Sequence, residues 1–199
     1  LGKKVMLIDL DPQAHLTYSM GIEGHKLDYT VFELLKGEID SKGVIINKNG
    51  IDIIPASIEL SGAELELSGV PGREFLLKEN LNCNDYDYIL IDCPPSLSLL
   101  TLNALTTAKE LFIPLQTEYL AMQGLAKLLE TVEVVKKRLN NELEITGIIA
   151  TRYDSRRNLN REVVDKIREH FGGKLFKTFI RENIALAEAP SYESDIFTY

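Results

Sequence analysis

The stretch that most constrains the fold of this chain is Tyr86–Ser96, which reads YDYILIDCPPS. Apolar side chains occur at both odd and even positions of its first half, as in a parallel strand covered on both faces by helices. The run ends in the carboxylate of Asp92, and the two prolines that follow cannot prolong a strand. Open α/β sheets bind ligands at the carboxyl ends of their strands, so Asp92 is predicted at a ligand-binding edge.

The same stretch has two interpretations. An apolar strand that ends in an aspartate has the form of a Walker B segment, whose carboxylate holds Mg²⁺ beside nucleotide phosphates. A core strand that ends in a capped turn has the same form. Taken alone, the stretch does not separate the two, and the rest of the chain has to decide.

A second apolar run, Lys4–Leu10, leads into two more acids, Asp9 and Asp11. Pro12 stops this strand, and acids two residues apart share a side if the extended geometry persists. Both would then lie at a carboxyl end, as Asp92 does. The structural alternative is a pair of aspartates that form a turn or cap a helix.

Strand and helix patterns alternate along the chain. Thr30–Lys36 reads as a helix, with Thr30 as its N-cap and Gly37 just past its end. Met122–Asn140 has the apolar stripe of a long helix, and Leu175–Ile180 reads as the last strand. The alternation predicts an α/β fold, with a mostly parallel sheet flanked by helices on both faces, in one domain of 199 residues.

Composition narrows the class of protein. The chain is 45% apolar and has no apolar run long enough to cross a bilayer. Its two cysteines, Cys83 and Cys93, and its three histidines show no metal-ligand spacing. We therefore expect free thiols in a reducing compartment rather than a disulfide framework or a zinc site.

Charge is unevenly placed along the chain. The net charge is −8, but residues 152–181 hold nine Lys/Arg and four Asp/Glu, so this segment carries +5 and the remainder −13. Such asymmetry favours an anionic partner for one surface of an acidic protein. A solvated helix face is the alternative explanation.

Taken together, these segments resemble the ParA/Soj family of deviant Walker-type ATPases, which move plasmids and chromosomes apart in bacteria. The resemblance is carried by four blocks in the family's order: Val5–Gln13, Tyr86–Ser96 with Leu102–Leu105, Gln116–Leu120 with Gly124 and Leu125, and Glu182–Ser191. Their joint occurrence favours the Walker B interpretation of the Asp92 strand and a P-loop NTPase-like fold.

The resemblance implies ATP and Mg²⁺ as cofactors. Asp11 is similar to the family acid that positions or polarises the attacking water, and Asp92 to the catalytic acid that holds the metal through a water. Asp9 is similar to the companion acid near Mg²⁺. The segment that senses the γ-phosphate would contain Pro94, Pro95 and Ser96. Phosphoryl transfer needs placement and charge neutralisation more than covalent help, which suits such a set of residues.

By the same resemblance, two loops close over the adenine base. The candidate residues are Thr151, Arg152 and Asp154 in one loop, and Arg181 and Asn183 in the other. For any single one of them, an ordinary loop with capping polar groups is the alternative interpretation.

Family members form an ATP-bound homodimer that coats DNA without reading its sequence. The basic segment offers five candidate contacts to DNA: Arg156, Arg157, Arg161, Lys174 and Lys177. The resemblance also implies a ParB-like centromere-binding partner and a cytoplasmic, nucleoid-associated location, with no membrane partner expected.

No G-x-x-x-x-G-K-[ST] sequence, the phosphate-binding loop of these enzymes, occurs in the 199 residues. We expect the natural chain to supply that loop, its strand and the first helix from about 30–40 residues upstream, and to continue downstream. These residues alone would then be an incomplete domain and inactive.

Three other classes remain open. A MinD-like positioning ATPase would need an amphipathic helix for the membrane. A reductase similar to the nitrogenase iron protein would need cysteines that ligate a cluster, whereas Cys83 and Cys93 read as small core thiols. A pseudo-ATPase scaffold would bind no nucleotide at all.

Overall fold

A computed structural model of the chain describes residues 2–83, 85–118, 121–194 and 196–199, and of Gln123 only the backbone. Two residues of the predicted Gln116–Leu120 block, Tyr119 and Leu120, therefore lie outside the described residues. The chain divides into two compact units. The first comprises residues 1–107 and 188–199, and the second comprises residues 108–187.

The first unit is built on a four-stranded sheet. Its strands are β1 (Val5–Asp9), β2 (Ile46–Lys48), β3 (Ile51–Ile54) and β4 (Tyr88–Asp92), in the order β2-β3-β1-β4. Strand β1 is parallel to both of its neighbours, and β2 is antiparallel to β3. Its helices are α1 (His15–Ser19), α2 (Val31–Lys36), α3 (Ser41–Val44), α4 (Ala63–Glu66), α5 (Leu76–Asn80) and α6 (Leu99–Thr107). Short 3₁₀ turns occupy Gly24–Lys26, Ile58–Gly62, Arg73–Phe75 and Ala189–Tyr192.

The central strand β1 carries the core of this unit. Met6 and Ile8 are fully buried and belong to a cluster that also contains Leu34, Leu35 and Leu77 from α2 and α5. Burial of such side chains is the main stabilising contribution to a sheet covered by helices. The carboxyl end of β1 is therefore fixed within the best-packed part of the unit.

Strand β4 is less covered than its sequence predicts. Tyr88 and Leu90 are 57% and 54% exposed, while Ile89 and Ile91 pack partly against the core cluster. Apolar side chains on both parities predict cover on both faces. Among the described residues, the β4 side chains that pack against the core cluster are Ile89 and Ile91, which lie on one face of the strand.

Helix α2 begins and ends as its sequence predicts. The Thr30 hydroxyl accepts the Phe32 N–H at 3.2 Å, and the Glu33 carboxylate accepts the Thr30 N–H at 2.8 Å. This reciprocal arrangement is a capping box. Gly37 follows the helix with φ 73°, a left-handed conformation that glycine adopts without strain.

The second unit contains two parallel strands and two long helices. They are β5 (Glu110–Gln116), α7 (Ala121–Arg138), β6 (Glu144–Thr151) and α8 (Asn158–Phe171). A 3₁₀ turn at Gly172–Lys174 and α9 (Ile184–Glu188), which ends in the first unit, complete the elements. Ile113 and Ile148 pack with Leu125, Val163 and Ile167 of the two long helices.

The prediction of a strand at Leu175–Ile180 is wrong. The Phe176 N–H donates to the Ile148 carbonyl and the Ile180 N–H to the Ala150 carbonyl, both at 2.9 Å. Four residues of this segment therefore span two residues of β6, so the segment bulges between the two bonds. A regular strand advances one residue per partner residue, and the segment keeps only an isolated bridge between Leu175 and Ile148.

The α/β class with mostly parallel strands and flanking helices is confirmed, whereas the single domain stays a prediction. The short antiparallel strand β2 was not predicted. Among the described residues, no helix combines the length and the apolar character needed to cross a membrane.

Thr30→Ala is expected to lower the free energy of unfolding by about 1 kcal/mol, because it removes the side-chain half of the capping box. Thr30→Ser keeps the hydroxyl and should recover most of that loss. Urea denaturation of the three proteins measures the difference. Equal losses in both variants would show that packing of the Thr30 methyl group, rather than the cap, stabilises α2.

Candidate functional site

Strands β1 and β4 end side by side and bring two of the predicted acids together. Asp9 and Asp92 are paired residues in the parallel register of these strands. The Leu10 N–H donates to the Asp92 carbonyl at 2.7 Å, which extends the pairing past the end of β1. Asp11 follows two residues later, so Asp9, Asp11 and Asp92 lie at one carboxyl edge, where such sheets bind ligands.

Asp9 is fully buried, and both of its carboxylate oxygens accept hydrogen bonds. Oδ2 accepts the N–H and the hydroxyl of Thr17, each at 2.7 Å. Oδ1 accepts the Asp11 N–H at 3.2 Å. Burial raises the pKa of Asp9, and the bonds from Thr17 and Asp11 oppose that rise. This environment favours a role for Asp9 in holding the following loop, and its assignment as a metal ligand stays a prediction.

Asp11 begins a tight turn. One oxygen of its carboxylate accepts the Gln13 N–H at 2.9 Å, and its carbonyl accepts the Ala14 N–H at 2.9 Å. Ala14 adopts a left-handed conformation with φ 52°, which is uncommon for a residue with a Cβ and occurs often at functional sites. The turn keeps the half-buried Asp11 at the sheet edge.

Asp11 and the predicted phosphate-sensing segment line one cavity of about 370 Å³. Its walls include Asp11, Pro12 and Gln13 from the loop after β1, and Pro94, Pro95 and Ser96 from the loop after β4. The Thr101 hydroxyl, almost fully buried in α6, donates to the Ser96 carbonyl at 2.5 Å and lies 3.3 Å from the Pro94 carbonyl. The two prolines and this anchor restrict the segment that faces Asp11.

A second cavity, of about 790 Å³, shares Pro12 and Gln13 with the first. Thr17 and Ser57 also line it, and the hydroxyl of Ser57 is buried without a protein hydrogen-bond partner. The loop that carries Asp11 therefore borders two open spaces. Leu10 and Ala14, at the two ends of the loop, pack with the core cluster of the unit.

The surroundings of Asp92 disfavour the charged form of its carboxylate. Although the residue keeps solvent exposure, surrounding protein atoms desolvate its carboxylate and raise its pKa. The negative charges of Asp9 and Asp11 raise the pKa of Asp92 further, and His15 opposes them. The three acids thus interact as one cluster with an excess of negative charge.

This donor set fits Mg²⁺. Magnesium prefers hard oxygen ligands, keeps several of its waters, and in nucleotide sites is bound by one or two carboxylates together with phosphates. Asp11 and Asp92 present carboxylates at the edge, and their mutual repulsion is what a divalent cation relieves. Within the described ranges, no group of three or more His, Cys, Asp or Glu side chains could hold a metal alone.

Neither cysteine has the properties of a redox-active thiol or of a ligand to an iron–sulfur cluster. Burial, with the charges of Asp92 and Asp11, raises the pKa of the Cys93 thiol to about 11. Such a thiol stays protonated at neutral pH, and the thiolate is the form that binds metals and attacks disulfides. Cys83 is a free, partly buried cysteine that packs against the core cluster of the first unit.

In the second unit, the two predicted base-site loops lie next to each other. Tyr153 and Arg181 form a parallel bridge, and the Arg152 guanidinium donates to Glu182 at 2.8 Å. Arg152 has φ 51°, a left-handed conformation that is rare for a long side chain. Asn183 accepts the Ala185 N–H at 2.9 Å, as a cap on the first turn of α9.

Two of the five predicted base-site residues remain. Asp154 is paired with Arg156, and Thr151 ends β6. Its carbonyl accepts the Thr117 N–H at 3.2 Å. The structure thus places Thr151, Arg152, Arg181 and Asn183 around adjoining loops, and their contact with a base stays a prediction.

The predicted DNA contacts differ in how much of their charge is already paired. Arg156 lies 2.9 Å from Asp154, and Arg157 lies 3.7 Å from Asp154 and 3.9 Å from Glu182. These arginines hold the pKa of Asp154 down at about 2. The other three candidates are exposed: Arg161, which donates to Asn158, Lys174, which donates to the Ile145 carbonyl, and Lys177.

Two buried residues at these sites were not predicted. Thr17 binds Asp9, and Asn160 accepts the Asp154 N–H at 2.9 Å and donates to the Thr117 carbonyl at 2.6 Å. Each joins segments that are distant in sequence. Neither carries a local signal, because a single Thr or Asn in a helical stretch reads as a cap or a surface residue.

Several known proteins are similar to this chain in sequence. A protein-family model described as an AAA domain (AAA_31) matches residues 1–145. The sporulation initiation inhibitor protein Soj of Bacillus subtilis is 43% identical over 203 residues, which cover all of this chain and 80% of that protein. The chromosome-partitioning ATPase Soj of Treponema pallidum is 46% identical over 202 residues, which cover 100% of this chain and 79% of the relative.

A solved structure shares the fold. Cobyrinic acid a,c-diamide synthase from Mycobacterium smegmatis, with a bound ATP analog and magnesium, superimposes with a TM-score of 0.87 at 36% identity. The match covers 96% of this chain and 81% of that protein. This chain is similar to a protein that binds a nucleotide and magnesium, and more similar in sequence to the two Soj proteins.

Asp92→Asn is expected to raise the free energy of unfolding at pH 7. The folded state raises the pKa of Asp92 above its ordinary value of 3.8, so its stabilising contribution is complete below that value and is lost as pH rises through the raised pKa. The near-isosteric amide removes the repulsion. Thermal melts from pH 4 to 7 should show a smaller loss of stability with rising pH than in the unsubstituted protein.

Asp28→Asn, at an exposed acid outside the cluster, is the matched control and should leave that pH dependence unchanged. A lower stability of the Asp92 variant at pH 7, with unchanged pH dependence, would contradict a repulsive cluster.

Proposed function

This chain belongs to the ParA/Soj family of partition ATPases. On that basis we propose that it hydrolyses MgATP as a nucleotide-sandwich homodimer and thereby partitions chromosomes or plasmids. The observation that supports this most is the shared cavity of Asp11 and Pro94–Ser96 at the edge where Asp9 and Asp92 meet. The Soj relatives favour partition over a MinD-like role in positioning at a membrane.

Asp92 is proposed to hold Mg²⁺ through a water, with Asp9 as the companion acid near the metal. Bound Mg²⁺ would supply positive charge beside the phosphates. Asp11 would accept a hydrogen bond from the attacking water and orient it toward the γ-phosphorus. The Gln13 N–H fixes one oxygen of Asp11, so the carboxylate is oriented before substrate arrives.

The segment Pro94–Ser96 is proposed to contact the γ-phosphate. Two prolines restrict its backbone, and Thr101 holds the carbonyls of Pro94 and Ser96 from α6. A restricted backbone at this position would lose little entropy on binding. The adenine would lie against Thr151, Arg152, Arg181 and Asn183.

Asp11→Asn is expected to lower kcat for ATP hydrolysis at least about a hundredfold, the usual contribution of a group that orients or accepts a proton. Binding of MgATP should persist, because the amide keeps the shape of the side chain. Phosphate release by the product of the complete reading frame measures kcat, and titration with a fluorescent ATP analogue measures affinity. Asp28→Asn is the control.

A kcat for Asp11→Asn within twofold of the unsubstituted protein would contradict the role of Asp11. Absence of Mg²⁺-dependent nucleotide binding in the unsubstituted protein would instead point to the pseudo-ATPase scaffold.

The second unit is proposed to bind DNA. It carries 14 Lys/Arg and 11 Asp/Glu, a net charge of +3, whereas the first unit carries 8 and 19, a net charge of −11. Binding to phosphates alone would not depend on sequence, as nonspecific coating of a nucleoid requires. A ParB-like partner that stimulates hydrolysis, and a cytoplasmic, nucleoid-associated location, complete the proposal.

The double variant Lys174→Glu/Lys177→Glu is expected to weaken DNA binding more than Arg156→Glu/Arg157→Glu. All four side chains are exposed, but the two arginines are already paired with acids. Each phosphate contact contributes about −0.9 to the slope of log K against log salt concentration. Loss of two contacts should therefore make this negative slope shallower by about 1.8.

Fluorescence anisotropy with a random duplex at several salt concentrations measures these slopes. Lys127→Glu/Lys137→Glu, a double reversal of exposed charges on α7, is the control for net charge. Equal slopes in all the variants would contradict a DNA surface at the Lys174–Lys177 segment.

A further inference from the structure

Thr17 joins three segments of the first unit that are distant in sequence. Its N–H and its hydroxyl both donate to Asp9 Oδ2 at 2.7 Å. Its hydroxyl oxygen also accepts the Ala56 N–H at 2.9 Å, from the segment that follows β3. Thr17 is fully buried, so water does not replace these bonds.

Asp9 connects Thr17 to the proposed catalytic loop. While Thr17 occupies Oδ2, Oδ1 accepts the Asp11 N–H at 3.2 Å. The Asp9 carboxylate therefore accepts hydrogen bonds from both ends of the segment that runs from Asp11 to Thr17. A fully bonded buried carboxylate restricts its neighbours, because each of its partners would otherwise be left unsatisfied.

Hydrogen bonds restrain the middle of this loop, whereas Leu10 and Ala14 at its ends pack with the core cluster of the unit. Pro12 and Gln13 line both cavities, and Ala14 adopts a left-handed conformation before α1 begins. A loop with open space around it and a strained residue keeps one conformation only if other contacts impose it. The bond from the Asp11 N–H to Asp9 is such a contact.

Thr17 supplies two hydrogen-bond donors to the buried Asp9 carboxylate, beside the one from the Asp11 N–H. Loss of the Thr17 hydroxyl would leave this carboxylate with fewer donors in a buried place. Asp9 would then be held in position less firmly, and its bond to the Asp11 N–H would weaken.

We propose that Thr17 is a positioning residue that fixes the Asp11 carboxylate, through Asp9, for its reaction with ATP. The catalytic consequence rests on the function proposed for Asp11. The anchor itself is a property of the folded chain and is measurable without nucleotide.

Thr17→Val, which replaces the hydroxyl by a methyl group, tests the anchor in the protein without ligand. We expect exchange of the Asp11 and Ala56 amide hydrogens to become about tenfold faster, because each loses a bond or the group that orders it. Thr17→Ser keeps the hydroxyl and should restore both exchange rates.

Thr106→Val is the matched control. Thr106 is also fully buried, and its hydroxyl donates to the Glu74 carbonyl at 2.6 Å, on a helix that does not carry the three acids. This variant should lose stability without changing the exchange rate of the Asp11 amide hydrogen. If Thr17→Val does not fold, Asp9→Asn, which removes the charge but keeps the shape, should release the Asp11 amide in the same way.

With nucleotide, Thr17→Val should lower kcat for ATP about tenfold and leave KM within about twofold, since the residue acts on the orientation of Asp11. Unchanged exchange of the Asp11 amide hydrogen in Thr17→Val would overturn the proposal, whether or not the protein hydrolyses ATP. A released loop with unchanged kcat, in a protein that Asp11→Asn inactivates, would also overturn it. An active Asp11→Asn would instead contradict the proposed function, and the exchange data would still decide the anchor.

Discussion

The parallel pairing of β1 with β4 is the constraint on which the rest of the site depends. Because the strands run in the same direction and in register, their last residues, Asp9 and Asp92, are neighbours. The loops that leave the two strands then form opposite walls of one cavity. An antiparallel pairing would instead place the acids and the proline-rich segment at opposite edges of the sheet.

The acids at this edge are stabilised in different ways. Asp9 accepts hydrogen bonds from Thr17 and Asp11, and these bonds stabilise its buried charge and hold the two segments together. The carboxylate of Asp92 is desolvated and is repelled by Asp9 and Asp11, and both effects raise its pKa. Functional sites often retain such unfavourable charge, because the ligand supplies what the protein lacks. In this view Asp9 orders the site, and Asp11 and Asp92 are the acids that meet the substrate.

Much of the fold followed from local patterns in the sequence. The ends of β1 and β4 and the cap of α2 depend on residues within one turn or strand, so Asp92 and Thr30 carried readable signals. The segment Leu175–Ile180 was read as a strand for the same reason. Its bulge against β6 depends on how Phe176 and Ile180 pair with a distant strand, which no local pattern contains.

The site was predicted less completely than the fold. The sequence, through the family it resembles, indicated the three acids and the Pro94–Ser96 segment, because charged residues and prolines that interrupt apolar runs are conspicuous. It did not indicate Thr17, whose role arises from contacts with residues 8 and 39 positions away. Nor did it show that Arg156 and Arg157 are paired with acids, since ion pairs depend on side-chain geometry.

The coupling between Asp11 and Asp92 is the most direct test of a shared acidic site. The measurement is a pH titration of the Asp92 carboxyl carbon by ¹³C NMR, in the unsubstituted protein and in Asp11→Asn. We expect the pKa of Asp92 to lie above its ordinary value of 3.8 and to fall when Asp11 is neutralised. An Asp92 that titrates at its ordinary value, and does so equally in both proteins, would contradict the account.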